Sequence, residues 1–288
     1  MDVGFRLVDV FTETPFLGNR LCVVPETPEG LTTEQMRMLA LETNFSETTF
    51  VTESRPDGYR MRIFTPDAEL PFAGHPTLGT SFALASEGRT SPTTIQTTAG
   101  GDVPVEVDLE AGFAWMTQWT PEIRSMVDDR ALVAEAAGLA PHDLHPELPV
   151  QVISTGLAPL LVPVRDEALL RRAELHAGSC ARATEASGAD CLYLFAVRGD
   201  GDVLARMFDA SLGVGEDPAT GAAAGPLGTY LAIHGLAAMP GRAVISQGEM
   251  VGRPSFLHVD VRPDGESWTV RVGGGVRLVG EGVFRLEV

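Results

Sequence analysis

Three side chains of this 288-residue chain stand where they could move protons: Glu47, His75 and Asp217. His75 and Asp217 each lie directly before a proline, in Glu69-Leu-Pro-Phe-Ala-Gly-His75-Pro76-Thr77 and in Glu216-Asp217-Pro218-Ala219-Thr220-Gly221. Each motif opens a stretch without Asp, Glu, Lys or Arg, running from Leu70 to Ser86 and from Pro218 to Gly241. Proline suits the first position of a helix, which places His75 and Asp217 at or near two helix N-termini. The free backbone N–H groups and positive potential of such an end favour a carboxylate or phosphate. Two such ends, in two similar halves, could converge on one small anion with a proton carrier on each side. That is the layout of a proton-transferring isomerase.

Glu47 lies in Asn44-Phe-Ser46-Glu47-Thr-Thr-Phe-Val, among Phe45, Phe50 and Val51. A carboxyl in an apolar cleft has a raised pKa and can act as acid and base near neutrality, whereas on an exposed edge strand it is only a solvated glutamate. His75 is either a proton shuttle or a capping or core histidine, and Asp217 either a proton carrier or an ordinary N-cap. Their matching placement in two similar halves favours the chemical alternative. Arg62 and Arg206 also match, in the strands Arg62-Ile-Phe64 and Arg206-Met-Phe208. They position substrate carboxylates, or else pair with Glu69 and Glu216.

The elements that must hold these residues alternate strands with few helices. Strands are expected at 5–11, 20–25, 47–52, 59–64, 93–98, 103–109 and 113–117. Thr32 and Thr33 can cap a helix running to about Glu42, and an apolar helix follows near 76–86. The second half repeats the recipe, with strands at 150–153, 159–164, 190–197, 203–208, 243–247, 256–261 and 268–273. Helices are expected near 166–173 and 219–234, and the chain closes with strand-like Val276–Leu278 and Val283–Val288. A helix without a charged face must be wrapped by other structure. The length accommodates two domains, with a boundary near 118–128.

The net charge of −18 argues against nucleic-acid or anionic-membrane partners, which require a basic surface. Cys22, Cys180 and Cys191 are an odd set without paired spacing, which points to core filler in a reducing compartment. The glycines, prolines and His234 of the uncharged run favour a helix buried in a domain over a membrane span. His142-Asp-Leu-His145 lacks further metal ligands at useful spacing. Gly213-Val-Gly215 lacks the third glycine of a dinucleotide fingerprint, and Gly273-Gly-Gly275 precedes strand-like sequence. No cofactor or metal is called for.

Several further motifs follow one another in order. They are Val8-Asp-Val-Phe-Thr…Pro15-Phe-Leu-Gly-Asn19, Asn44-Phe-Ser-Glu-Thr-Thr-Phe50, Arg62-Ile-Phe-Thr-Pro66, Phe72-Ala-Gly-His-Pro-Thr-Leu-Gly79, Gly215-Glu-Asp-Pro-Ala-Thr-Gly221, Ile245-Ser-Gln-Gly248 and Gly252-Arg-Pro-Ser255. Over essentially its whole length the chain resembles the PhzF-like phenazine biosynthesis isomerase family. The resemblance implies an α+β fold like diaminopimelate epimerase: two pseudo-symmetric domains, each a strand-rich, barrel-like sheet around a central apolar helix, with the active site in the cleft between them. The domains are expected at residues 1–121, completed by 279–288, and at 122–278. It further implies a cofactor-free cytoplasmic homodimer that moves a proton on a small carboxylate-bearing substrate such as a dihydro-hydroxyanthranilate.

In that scheme Glu47 is the acid/base, and His75 and Asp217 stand where related epimerases carry their cysteine pair. The substrate-binding positions carried over are Asn19, Ser46, Gly74, Pro76, Thr77, Thr220, Gly221 and Ala222. The missing cysteines argue against diaminopimelate epimerase or proline racemase activity proper. The family often has serine where this chain has Ala222, so a substrate-binding hydroxyl is lost and the namesake substrate is not implied. A non-catalytic small-molecule binding protein on the same fold, or an epimerase of an amino-acid derivative, remain the alternatives.

Overall fold

The computed structural model describes residues 1–198, 202–210, 215–236 and 241–287. Gly213, Val214 and Val288, which entered the reading above, lie outside these. The chain divides into two compact units, Met1–Thr117 with Gly273–Val288, and Gln118–Val272. These boundaries fall a few residues before the expected ones. Gln118 belongs with the second unit because its N–H donates to Val270 O and its side chain to Gly221 O. Gly273 and Gly274 belong with the first because they lie flat against Trp115 and Phe11.

The first unit contains β1 (Asp2–Val10), β2 (Asn19–Val24), α1 (Thr33–Thr43), β3 (Glu47–Arg55), β4 (Gly58–Phe64), β5 (Glu69–Leu70), α2 (Gly74–Ser86), β6 (Thr93–Thr98), β7 (Gly101–Asp108) and β8 (Phe113–Thr117). The second contains β9 (Glu122–Met126), α3 (Arg130–Ala136), β10 (Gln151–Ser154), β11 (Pro159–Pro163), α4 (Glu167–Arg171), α5 (Ala177–Ser187), β12 (Cys191–Val197), β13 (Val203–Phe208), β14 (Glu216–Asp217), α6 (Gly221–Ile233), β15 (Gly241–Gln247) and β16 (Ser255–Asp264). A last strand, β17 (Ser267–Arg285), begins in the second unit and ends in the first. The sequence suggests several short strands there, but the chain is continuous because its C-terminal part pairs with β1 from Val10↔Val276 to Asp2↔Arg285.

In the first unit, β1, β2, β3, β4, β6, β7, β8 and β17 pair in that order and return to β1, a closed barrel of eight strands. The pairs β2–β3 and β4–β6 are parallel, and β5 hooks back on β4. The second unit uses the same scheme from β10 to β16. There β11–β12 and β13–β15 are parallel, β14 hooks back on β13, and the remaining pairs are antiparallel. The fold is thus the strand-rich α+β class expected, with one pairing pattern used twice.

The uncharged runs become the helices inside these sheets. Every residue of α2 from Gly74 to Ala85 is buried, as is every residue of α6 from Gly221 to Leu231. Each large apolar side chain enclosed there contributes roughly 1.5–3 kcal/mol. Gly79 is required by the close packing, since a Cβ at that position would stand 2.6 Å from Leu21 Cδ2 and 2.9 Å from Val10 Cγ2. By contrast α1 lies on the surface behind a capping box. Thr32 Oγ1 accepts from Gln35 N–H, and Gln35 Oε1 accepts from Thr32 N–H. All three cysteines are buried, and burial pushes the Cys22 thiol up to about 12, the behaviour of core filler. Among the described residues no helix is long and apolar enough to cross a membrane.

Candidate active site

Glu47 is the first residue of β3, an inner strand held by β2 in parallel register, Leu21↔Glu47, and by β4 in antiparallel register. Its side chain is therefore not on an exposed edge; it retains only 15% of its accessible surface. Glu47 Oε2 stands 3.2 Å from Nε2 of His75, close in distance but too skewed for a hydrogen bond. His75 is the second residue of α2 and is buried.

Behind the histidine lies Asn19, at the start of β2 and fully buried. As Asn19 is oriented, its amide N–H donates to His75 Nδ1 at 3.2 Å, and its carbonyl accepts from Ser46 Oγ at 3.0 Å. Nδ1 is the ring nitrogen engaged by Asn19, and Nε2 is the one that faces Glu47. Ser46, Asn19, His75 and Glu47 thus form one polar cluster in the first unit.

Burial pushes the His75 pKa down to about 3, against an opposing backbone contact from Arg20. The positive end of α2 acts in the same direction as burial. Although Glu47 is near enough to form an ion pair with an imidazolium, desolvation is the larger effect and favours the uncharged ring. The consequence for stability has a definite sign. The folded-state pKa is depressed below the ordinary 6.5, so the unfolded chain binds the extra proton between about pH 6.5 and 3. His75 therefore costs nothing above pH 6.5, and its contribution falls away as pH drops through that window, by about 5 kcal/mol at most. Urea midpoints of wild type and His75→Gln are expected to converge as pH falls from 7 to 4. Parallel pH slopes would show that the ring is not held neutral.

Asp217 is placed differently from the N-cap that Asp-Pro suggests. It ends the short strand β14, in register with Met207, and α6 begins only at Gly221 with Thr220 as N-cap. The reason is that Thr220 directs its hydroxyl at Asp217 Oδ2, 2.7 Å away, so it makes no side-chain cap on its own helix. α2 likewise has an N-cap, Ala73, that makes no side-chain cap.

The other helix-start positions indicated by the sequence are enclosed. Gly74, Pro76, Gly221 and Ala222 are buried in the first turns of α2 and α6. Thr77 is fully buried, with its hydroxyl donating to Ala73 O at 2.8 Å and lying 2.5 Å from the Gln96 amide. Arg62 and Arg206 both pair with acids. Arg62 Nε and Nη2 reach Glu69 at 2.7 and 2.6 Å, and Arg206 Nε and Nη2 reach Glu216 at 2.9 and 2.7 Å. These bidentate pairs fasten the hooks β5 and β14 that lead into the two buried helices. Gln118, Tyr193 and Gln247 carry no role in the sequence reading. The signal for Gln247 is its place in the motif Ile245-Ser-Gln-Gly248, before a glycine at the end of a strand. His142 lies at the surface, and among the described residues no group of three or more His, Cys, Asp or Glu is gathered to hold a metal.

The fold as a whole has counterparts among known proteins. The family model described as phenazine biosynthesis-like protein matches residues 8–282. The chain belongs to this family. An uncharacterized isomerase of Clostridium acetobutylicum is 32% identical, with 94% of each chain covered. A trans-2,3-dihydro-3-hydroxyanthranilate isomerase of Pseudomonas aeruginosa is 34% identical over 96% of this chain and 98% of its own. Among solved structures, a predicted epimerase from Pseudomonas aeruginosa superposes with a TM-score of 0.88 at 35% identity, covering 99% of this chain and 100% of its own. Such likeness makes this phenazine biosynthesis-like chain an isomerase.

Proposed function

We propose that the protein moves a proton between carbon atoms of a small carboxylate-bearing substrate without a cofactor, with Glu47 as the acid/base. The observation that carries this reading is the buried Glu47–His75 contact at the start of an enclosed, uncapped helix. Glu47 takes a proton from substrate carbon and returns it at another position. His75, uncharged and with Nε2 toward Glu47, steadies the carboxyl and can relay its proton. Asp217 is the corresponding proton-handling group of the second unit, and the helix-start N–H groups, of Gly74 in the first unit and of Gly221 and Ala222 in the second, are the donors offered to a carboxylate. The relative from Pseudomonas aeruginosa suggests a cyclic amino or hydroxy carboxylate as the substrate class. Ala222 supplies no hydroxyl, so affinity for the carboxylate rests on backbone donors.

The test is incubation in D₂O with a panel of cyclic and amino carboxylates that includes dihydro-hydroxyanthranilate, read by mass spectrometry for carbon-bound deuterium. Uptake with migration of a double bond supports the isomerase. Uptake with inversion of a stereocentre and no migration supports the epimerase reading, to which the similar predicted epimerase lends weight. Tight binding of a panel member without uptake overturns both in favour of a binding protein.

A further inference from the structure

Asp217 is backed by a buried hydrogen-bond chain in which the direction of each bond is fixed. Tyr193 on β12 and Gln247 at the end of β15 are both fully buried. The Tyr193 hydroxyl donates to Gln247 Oε1 at 2.8 Å, and burial keeps that phenol protonated far above its ordinary range. Gln247 Oε1 also accepts from Thr220 N–H at 3.2 Å. With its oxygen committed on that side, the amide presents Nε2 to the other, donating to Asp217 O at 2.8 Å and to Thr220 Oγ1 at 3.1 Å. A hydroxyl that accepts from Gln247 has its own proton left to give, and Thr220 gives it to Asp217 Oδ2 at 2.7 Å. The chain therefore runs one way, Tyr193 to Gln247 to Thr220 to the Asp217 carboxylate. Reversing the amide would set its oxygen against Asp217 O.

Gly248 makes this approach possible. It adopts φ +80, and a Cβ there would meet Arg253 O and Pro218 O, so the end of β15 can lie directly against the turn that carries Asp217.

We propose that Gln247 is a positioning residue for Asp217, acting through Thr220 to fix which carboxylate oxygen is bound and how the carboxylate is turned for proton transfer. This assigns Thr220 an internal task in place of the substrate contact that the sequence suggests. The proposal rests on the reading of Asp217 as a proton-handling residue, and the test separates the two. Wild type, Gln247→Met, Thr220→Val, Thr220→Ser and Tyr193→Phe are compared in two measurements. The first is deuterium exchange into substrate, resolved into kcat and KM. The second is the ¹³C carboxylate resonance of Asp217 in aspartate-labelled protein, assigned by its loss in Asp217→Asn, which needs no activity.

A charge-assisted hydrogen bond is at stake, so Gln247→Met and Thr220→Val are expected to lower kcat about 10–100-fold with KM nearly unchanged. Both are expected to displace the Asp217 resonance. Thr220→Ser restores both readouts, and Tyr193→Phe has a smaller effect in the same direction. An unmoved resonance with unchanged kcat in Gln247→Met and Thr220→Val overturns the proposal, as does a change confined to KM. Wild type that exchanges no substrate hydrogen overturns the functional reading instead, and the resonance still decides the positioning. Should Gln247→Met fail to fold, Thr220→Val, which loses a single hydroxyl, carries the test.

Discussion

Glu47→Gln is expected to lower the rate of proton exchange at substrate carbon by about 10²–10⁴-fold, with the fold unchanged. Glutamine is nearly isosteric and keeps an oxygen for contact with His75, but it cannot accept or deliver a proton at the reacting carbon. The backbone of Glu47 is secured by its register with Leu21, so the substitution disturbs no strand. The loss should fall on kcat and leave KM almost unaltered, because the N–H groups proposed to bind the carboxylate belong to other residues. His75 gives the contrast. His75→Gln leaves Glu47 its carboxyl and removes only the neighbour that steadies it, so its loss should be the smaller of the two. Matched thermal unfolding of wild type and Glu47→Gln, with D₂O exchange followed in the same preparations, checks the expectation. A Glu47→Gln protein that retains most of its exchange rate excludes Glu47 as the acid/base. Equal losses for Glu47→Gln and His75→Gln would instead mean that the two act as one inseparable unit.

What the sequence made legible was what local composition dictates. Two long runs without charge have no solvent face to offer, and they became α2 and α6 inside their sheets. Thr32 announced α1 because a capping box is written within four consecutive residues. The same holds for the hooks: Arg62 and Glu69 are seven residues apart and Arg206 and Glu216 ten, so both pairs are local in the sequence. What was not legible depends on contacts made far along the chain. Asp-Pro reads as a helix start, yet Asp217 stays in β14 because Gln247, thirty residues away, binds its carbonyl and the hydroxyl of Thr220. Asn19 enters the sequence reading only through the family resemblance, and its buried amide contact with His75, 56 positions on, is not written in its neighbours. In both units a neutral amide stands behind a candidate proton carrier. Nothing in the sequence near His75 or Asp217 announces it, since the amide comes from another strand. β9, α3 and α5 are not legible for a simpler reason. β9 has all five residues exposed and so no apolar alternation to detect, and α3 and α5 are alanine-rich segments with few large apolar side chains.

The two arginine hooks, identical in pattern, are expected to differ severalfold in their contribution to stability. Both are bidentate, and each guanidinium also covers the ring two residues on, Arg62 over Phe64 at 5.0 Å and Arg206 over Phe208 at 4.8 Å. Burial separates them: the side chains of Arg62 and Glu69 keep 30% and 38% of their surface, those of Arg206 and Glu216 only 8% and 12%. In the first unit water can replace either partner, so Arg62→Ala should cost no more than about 1 kcal/mol. In the second, Arg206 Nη1 also donates to Leu170 O, Arg171 O and Ala173 O, at and just past the C-terminal end of α4. Arg206→Ala leaves these carbonyls and the Glu216 carboxylate enclosed without their donor, and about 3–5 kcal/mol should be lost. Urea unfolding of the two variants measures the difference directly. Glu216→Gln combined with Arg206→Met removes both charges and should recover part of the loss, because an uncompensated buried charge is worse than none. Recovery of stability without recovery of exchange activity would show that the hook also serves the site, since β14 carries Glu216 and Asp217 side by side. Equal costs for Arg62→Ala and Arg206→Ala would mean that hook geometry, and not burial, sets the energy.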